Sequence, residues 1–253
     1  MSSHRDRIVD QFTRQAVPFS NAPGIKDERA LALLVEASGA GSEDAVLDVA
    51  CGPGLVVAAF ARVAARATGI DVTPAMLDRA REVTAGLTNV TFESGDVYAL
   101  PFVDGAFSLV VSRFAFHHFQ DPGAVLAEMR RVCRPGGRVV VCDLTASHDP
   151  KKAAAFHRIE MLRDPSHARA LTLAELEDLF PAAGLPAPSA TFYKLKFELE
   201  GLLHRSFPRP EDVETIRAAY VASVDDDALG LGAHRAGDEI HAAYPVVILR
   251  ATR

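Results

Sequence analysis

Residues 45–54 read Ala45-Val46-Leu47-Asp48-Val49-Ala50-Cys51-Gly52-Pro53-Gly54, and Leu55 to Ala65 continue as a mostly apolar, helix-like run. A short β-branched run, closed by small residues and followed by a helical period, is the strand–turn–helix order of a nucleotide site. Gly52 and Gly54 lack a Cβ, so the backbone can turn tightly and a ligand can lie against it. The helix behind the turn offers N–H groups that have no intrahelical partner. Glycine turns also end many ordinary strands, so the second strand has to decide.

Ala67 to Ile70 is that second apolar run, and it ends at Asp71. A carboxylate at the tip of the second strand can accept both hydroxyls of a ribose. Thr73 is the better helix N-cap and Pro74 the natural first helical residue, which leaves Asp71 free for a ligand. Farther along, Val90–Phe92, Phe107–Val111 and Val139–Cys142 read as strands. Between them, Met76, Leu77, Ala80 and Val83 mark one helical face, and Val125, Leu126, Met129 and Val132 another, stopped by Pro135-Gly136-Gly137. Such alternation predicts a parallel sheet with right-handed crossovers. Ligands then sit at the carboxyl ends of the strands, where Asp48, Asp71, Arg113 and Asp143 fall.

Asp48-Val-Ala-Cys-Gly-Pro-Gly54, Gly69-Ile-Asp71-Val-Thr-Pro-Ala-Met76, Gly95-Asp96 and Phe107-Ser-Leu-Val-Val111 succeed one another in an informative order. As a set they resemble the motifs of class I S-adenosylmethionine-dependent methyltransferases. His117-His-Phe-Gln-Asp-Pro122 and Leu126 to Gly137 narrow the resemblance to the branch that contains the ubiquinone and menaquinone C-methyltransferases. Ala50 stands where the most general form has glycine. The resemblance implies an α/β, Rossmann-like doubly wound fold: a mostly parallel seven-stranded sheet, helices on both faces and a small helical cap. It also implies S-adenosylmethionine as cofactor and S-adenosylhomocysteine as product. The cofactor residues would be Asp48, Ala50, Gly52, Gly54, Asp71, Val72, Met76, Asp96, Val97, Arg113 and Phe114. Asp96 alone reads as an Asx-turn residue. Beside the other motifs it becomes the acceptor for the adenine amine, with the Val97 N–H on a ring nitrogen.

His117 and His118 come after the fourth strand, at the ligand end of the sheet. A histidine titrates near neutrality and suits a general base, needed when the nucleophile arrives protonated. His118 is the candidate catalytic residue and His117 a candidate acceptor contact; a structural or cofactor-pocket role for the pair is the alternative. The resembled family folds a leading helix over the cofactor, which makes Phe12 or Phe19 a candidate lid over the site, with packing on the core as the alternative; Phe19 is also a candidate substrate contact.

The chain has 253 residues, enough for one large domain. Expected divisions are 1–41 as N-terminal helices, 42–145 as the cofactor core, and 146–170 with 200–236 as substrate-cap segments. Ile8 to Phe19 shows a helical period that Pro18 should break. Thr191–Leu199 and Tyr244–Arg250 read as strands, the latter antiparallel, and Leu171–Ala183 as a helix capped by Thr172. In the 146–170 segment, His157, Arg163 and His167 are candidate substrate contacts on a lid, against the reading of a solvated helix face.

Net charge is −6 and no lysine- or arginine-rich run appears, which disfavours nucleic acid as substrate. Arg130, Arg131, Arg134 and Arg138 straddle a helix end, where they complement the helix dipole. Cys51, Cys133 and Cys142 lack metal-ligand spacing, so no metal is expected and the thiols read as structural. No apolar run approaches the ~20 residues that span a bilayer. The expectation is a cytoplasmic enzyme, monomer or homodimer, acting on a small molecule, with oxygen or carbon favoured over nitrogen. Two other functions compete: a fold that binds the cofactor without methyl transfer, as a regulatory or pericyclic scaffold, and an NAD-dependent oxidoreductase. The second is disfavoured because Val57 stands where the dinucleotide fingerprint wants a small residue.

Overall fold

The computed structural model describes residues 3–253. Five strands run parallel: β1 (Ala45–Val49), β2 (Arg66–Asp71), β3 (Val90–Ser94), β4 (Phe107–Arg113) and β5 (Cys133–Leu144). β6 (Ser189–Glu198) pairs antiparallel with β8 (Glu239–Thr252), which also pairs antiparallel with β5, giving the order β3-β2-β1-β4-β5-β8-β6. These are the seven strands expected. A further strand, β7 (His234–Ala236), folds back on β8 and is too short and polar to show a period. β1 lies between β2 and β4, so successive connections leave it in opposite directions and a crevice opens at its carboxyl end.

Helices cover both faces. α5 (Pro122–Val132) and α7 (Leu173–Ala182) pack Leu126, Met129, Leu176 and Phe180 against Leu47, Val110 and Val141. α2 (Glu28–Ser38) and α3 (Leu55–Ala61) bring Leu34, Val57 and Phe60 to the opposite face, against Val46, Leu109 and Val140. Burying each such side chain contributes about 1.5–3 kcal/mol. α4 (Pro74–Val83) buries Met76, Leu77 and Ala80. A third cluster unites α6 (Pro150–Arg163), α8 (Leu199–Ser206) and α9 (Pro210–Asp226): Phe156, Ile159, Leu202, Ile216 and Tyr220 meet Tyr244 of β8. The segments 146–170 and 200–236 thus share a core of their own.

Three local expectations meet a different outcome. α1 (His4–Asn21) begins at a Ser3–Asp6 capping box and runs through Pro18 without a break. Its inner face is tied down, because Gln11 and Gln15 both donate to the Ser206 carbonyl, at 2.6 and 3.1 Å. Tertiary bonds override the missing N–H of a single proline. Pro135-Gly136-Gly137 lies within β5, because α5 has already ended at Val132. A Cβ on Gly137 would stand 2.8 Å from the Ser108 carbonyl, so glycine permits the close, register-shifted approach to β4.

The third concerns 146–170. Glu160, Arg163, Asp164 and His167 are buried, not solvated. Arg163 grips Glu160 at 2.5 Å and donates to Ser206 Oγ at 2.9 Å, and the Tyr244 hydroxyl donates to Glu160 at 3.1 Å. Polarity reads as surface in a sequence; here Glu160, Arg163 and Asp164 are internal because each has a partner, while both ring nitrogens of His167 are buried without one.

Candidate active site

A cavity of about 340 Å³ opens at the carboxyl ends of β1, β2 and β4, with His4, Ile8, Phe12 and Phe19 of α1 along one wall. Its floor is the glycine turn. Ala50 and Gly52 both take left-handed backbone, at φ +58° and +49°. A side chain on Gly52 would meet only Met76 Sδ, at 3.9 Å, and would otherwise enter the cavity. Gly54 (φ +77°) serves another purpose. A Cβ there would stand 2.8 Å from the Cβ of Ala80, so its bareness lets α4 pack onto the turn.

Asp71, at the tip of β2, is not idle. Oδ2 accepts from the Gly52 N–H and Oδ1 from the Thr73 N–H, both at 2.8 Å. The carboxylate fixes the turn, and each oxygen keeps lone-pair capacity for a further donor. Burial raises its pKa, and the two backbone N–H groups oppose that rise. Asp96 accepts from the Tyr98 N–H at 2.9 Å, the Asx turn that its sequence position suggests, while it also lines the cavity.

Arg113 ends β4 and stacks over the Phe114 ring at 4.3 Å. One nitrogen donates to the Ile25 carbonyl at 2.9 Å, but Nε and Nη2 are buried without partners. Both Asp48 carboxylate oxygens are also buried and unpartnered. Burial chiefly, then the Asp71 charge, pushes the Asp48 carboxyl up, against the pull of Arg113. Orphaned polar groups behind a cavity are what a polar ligand would satisfy.

The turn Phe116–His118 is held by Asp143, which accepts from the Phe116 N–H at 2.7 Å and from His117 Nδ1 at 2.6 Å. His118 Nδ1 lies 3.1 Å from the Ser166 carbonyl and 3.2 Å from Ser166 Oγ, whose own proton goes to Asp164. A carbonyl only accepts, so Nδ1 carries the hydrogen and Nε2 keeps its lone pair. Nε2 has no partner among the described residues. Burial, then the neighbouring His117, lowers the His118 pKa to about 4.

A smaller chamber of about 80 Å³ adjoins the first and shares Phe12, Phe19, Ile25, Phe114 and His118 with it. His117 and Arg163 line this second chamber. Of the residues singled out in the sequence, Ala50, Gly52, Asp71, Val72, Met76, Asp96, Val97, Arg113, Phe114, Phe19 and His118 line the first. Asp48 and Gly54 stand behind its floor. His157 and His167 line neither chamber; His167 is packed 5.6 Å from His117 and 5.5 Å from His157, ring to ring. Sequence reasoning misses His4, Tyr98 and Phe119 in the first chamber and Lys196 and Arg205 in the second. Tyr98 carries a signal, two residues past Asp96: its hydroxyl accepts from the Gln120 and Asp121 N–H groups. Phe119 stands within the His117–Pro122 motif itself, whereas His4 and Arg205 come from remote elements with no local pattern, and Lys196 borders the second chamber from β6 with its side chain turned to solvent.

The doubly wound sheet, its switch-point cavity and a strand-end carboxylate beneath a glycine turn define an enzyme fold for a nucleoside cofactor. Residues 47–141 match the family described as methyltransferase domain. An uncharacterized methyltransferase, YcgJ of Bacillus subtilis, is 30% identical over 220 residues, spanning 83% of this chain and 87% of the relative. The crystal structure of YcgJ superposes with a TM-score of 0.82 at 25% identity, over 89% of this chain and 98% of that one. A demethylmenaquinone methyltransferase of Tropheryma whipplei is 37% identical over 116 residues, 45% of this chain and 46% of its own. A geranyl diphosphate C-methyltransferase of Streptomyces coelicolor, solved with S-adenosylhomocysteine, shares the fold at a TM-score of 0.63 and 18% identity, over 90% of this chain and 79% of that one. The chain belongs to the S-adenosylmethionine-dependent methyltransferases. The residues present suit that cofactor: bare Gly52 faces the cavity, Asp71 has acceptor capacity left, and Arg113 has unused donors.

Proposed function

We propose that the protein methylates a small-molecule acceptor at oxygen or carbon. In this reading Asp71 takes the ribose hydroxyls, Asp96 and the Val97 N–H the adenine, and Arg113 with Gly52 the remainder of the cofactor. Asp48, Ala50, Val72, Met76 and Phe114 shape that pocket, and Gly54 positions the turn. Bound S-adenosylmethionine supplies a methyl group on a sulfonium, already electrophilic. The chain's task is alignment and exclusion of water, which in ideal cases lowers a barrier by about 7–11 kcal/mol. Phe12 and Phe19 do the excluding.

The observation that carries the reading is the placement of His118 between the two chambers with Nε2 unengaged. That nitrogen accepts the acceptor's proton as the new O–CH3 or C–CH3 bond forms; the methyl–sulfur bond breaks and its electron pair stays on sulfur. A histidine held neutral by burial is a weak base, so it serves acceptors whose proton is already acidic. The segments 146–170 and 200–236 act as the cap, through Arg163 and His117 at the chamber wall and His157 and His167 behind it. Incubating purified protein with S-adenosylmethionine and a pool of phenols, quinone precursors and amines tests the reading. S-adenosylhomocysteine should form with a phenol or activated ring carbon; formation only with amines would refute it.

A further inference from the structure

We infer that the second chamber binds the anionic end of the acceptor, so that the substrate is an apolar or aromatic molecule bearing a carboxylate or phosphate. The inference rests on the methyl-transfer reading and narrows it. The chamber wall combines five aromatic rings, Phe12, Phe19, Phe114, Phe197 and Tyr244, with three charged side chains: Arg163, Asp164 and Arg205. Two of the three are already spent. Arg163 is neutralised by Glu160 and held by Ser206, and Asp164 accepts from the N–H and hydroxyl of Ser166.

Arg205 is different. Its side chain has no hydrogen bond or ion pair among the described residues, although the protein as a whole carries a charge of −6. Arg205, on α8, is partly buried, and that burial, then its proximity to Arg163, lowers its pKa. Glu198 is the nearby carboxylate, but its oxygens are engaged by the Glu200 and Gly201 N–H groups at the start of α8. A desolvated guanidinium without an ion-pair partner is costly, and an anion in the chamber would relieve that cost. β6 closes the chamber with Leu195 and Phe197, on the face that carries Tyr244, while Lys196 between them turns to solvent on the other face; a Cβ on Gly24 would lie 2.6 Å from Leu195 Cδ1.

The geometry orders the acceptor. Its anion lies toward Arg205, its ring against Phe12 and Phe19, which meet each other edge-on at 6.3 Å, and its nucleophile at the threshold beside His118. At roughly 10–15 Å³ for each water-sized group, the 80 Å³ chamber admits a small ring with a substituent rather than a long chain.

Titration calorimetry with matched probes tests this, with and without saturating S-adenosylhomocysteine. The carboxylate arm compares 4-hydroxybenzoate with 4-hydroxybenzamide; the phosphate arm compares 4-hydroxyphenyl phosphate with hydroquinone. At least one anion should bind tenfold or more tightly than its neutral partner, and the arm with the larger ratio names the anion. In the variant R205Q that ratio should fall to twofold or less, with S-adenosylhomocysteine affinity and the unfolding temperature reporting an intact fold. Neutral probes binding as well as anions in both arms, no binding of either anion, or a preference that survives the substitution would overturn the inference. Failure to bind S-adenosylhomocysteine would instead strike the methyl-transfer reading, and the probe pairs would still be read without it.

Discussion

His117 and Asp143 form a closed pair: Nδ1–H donates to Oδ1 at 2.6 Å, with the two side chains 7% and 1% exposed. Burial lowers the His117 pKa, but the Asp143 charge and hydrogen bond, helped by Glu160 and Asp164, outweigh it and leave a net rise above 6.5. A raised histidine pKa stabilises the folded state fully below the unfolded value and loses that contribution as pH climbs through the folded one. Asp143→Asn should therefore cost most stability at pH 5.5 and distinctly less at pH 8.5. Each kcal/mol of that difference moves the unfolding temperature by about 2–4 °C in a chain of this size. Thermal melts of both proteins across pH check it; a gap that widens with rising pH would contradict the pairing.

Asp71→Ala should weaken S-adenosylhomocysteine by about 1.5–3 kcal/mol, the range for hydrogen bonds to a charged group. The variant also strips the Gly52 and Thr73 N–H groups of their acceptor, so the turn itself loosens. Calorimetry on the folded variant decides; unchanged affinity removes Asp71 from the cofactor site.

Gly54→Ala and Ala50→Gly should move stability in opposite directions. The first forces a Cβ to 2.8 Å from Ala80 at φ +77°, an overpacking worth about 1–3 kcal/mol. The second relieves an L-residue at φ +58°, a gain of up to about 1 kcal/mol. Chemical denaturation measures both.

Arg163→Ala should unfold or severely weaken the protein, by about 3–5 kcal/mol, because it abandons a fully buried Glu160 carboxylate. Solubility and melting temperature report this directly. A variant as stable as the parent would mean that Glu160 is neutral in the fold.

The pH profile of turnover tests His118. With its pKa depressed to about 4, the imidazole stays unprotonated on descending from pH 8 to 5, so the histidine step near 6.5 should be missing. Turnover is lost only as pH approaches 4. A midpoint near 6.5 in kcat/KM would point to His117 or to the acceptor.

What is readable in the sequence is what is local. Gly52, Gly54, Asp71 and Thr172 announce themselves because turn geometry, strand tips and helix caps are settled within a few residues, and the strand–helix alternation carries the parallel sheet with it. Pro18 and Pro135 mislead for the complementary reason: whether a proline breaks an element depends on partners, here Ser206 and β4, that sequence distance hides. Glu160 and Arg163 look like surface because polarity predicts exposure until a counter-charge is found. Arg205 carries no pattern at all; only the fold brings α8 to the chamber that β6 closes.

The place of β8 in the sheet has a consequence in the time domain of synthesis. Among the described residues it is the sole partner of β6 and one of the two partners of β5. A ribosome makes both of those strands before residues 239–252 exist, so the nascent chain carries two bare strand edges until β8 is made. Such edges template pairing with other chains. The sheet is therefore completed only when residues 239–252, the last strand made, are in place.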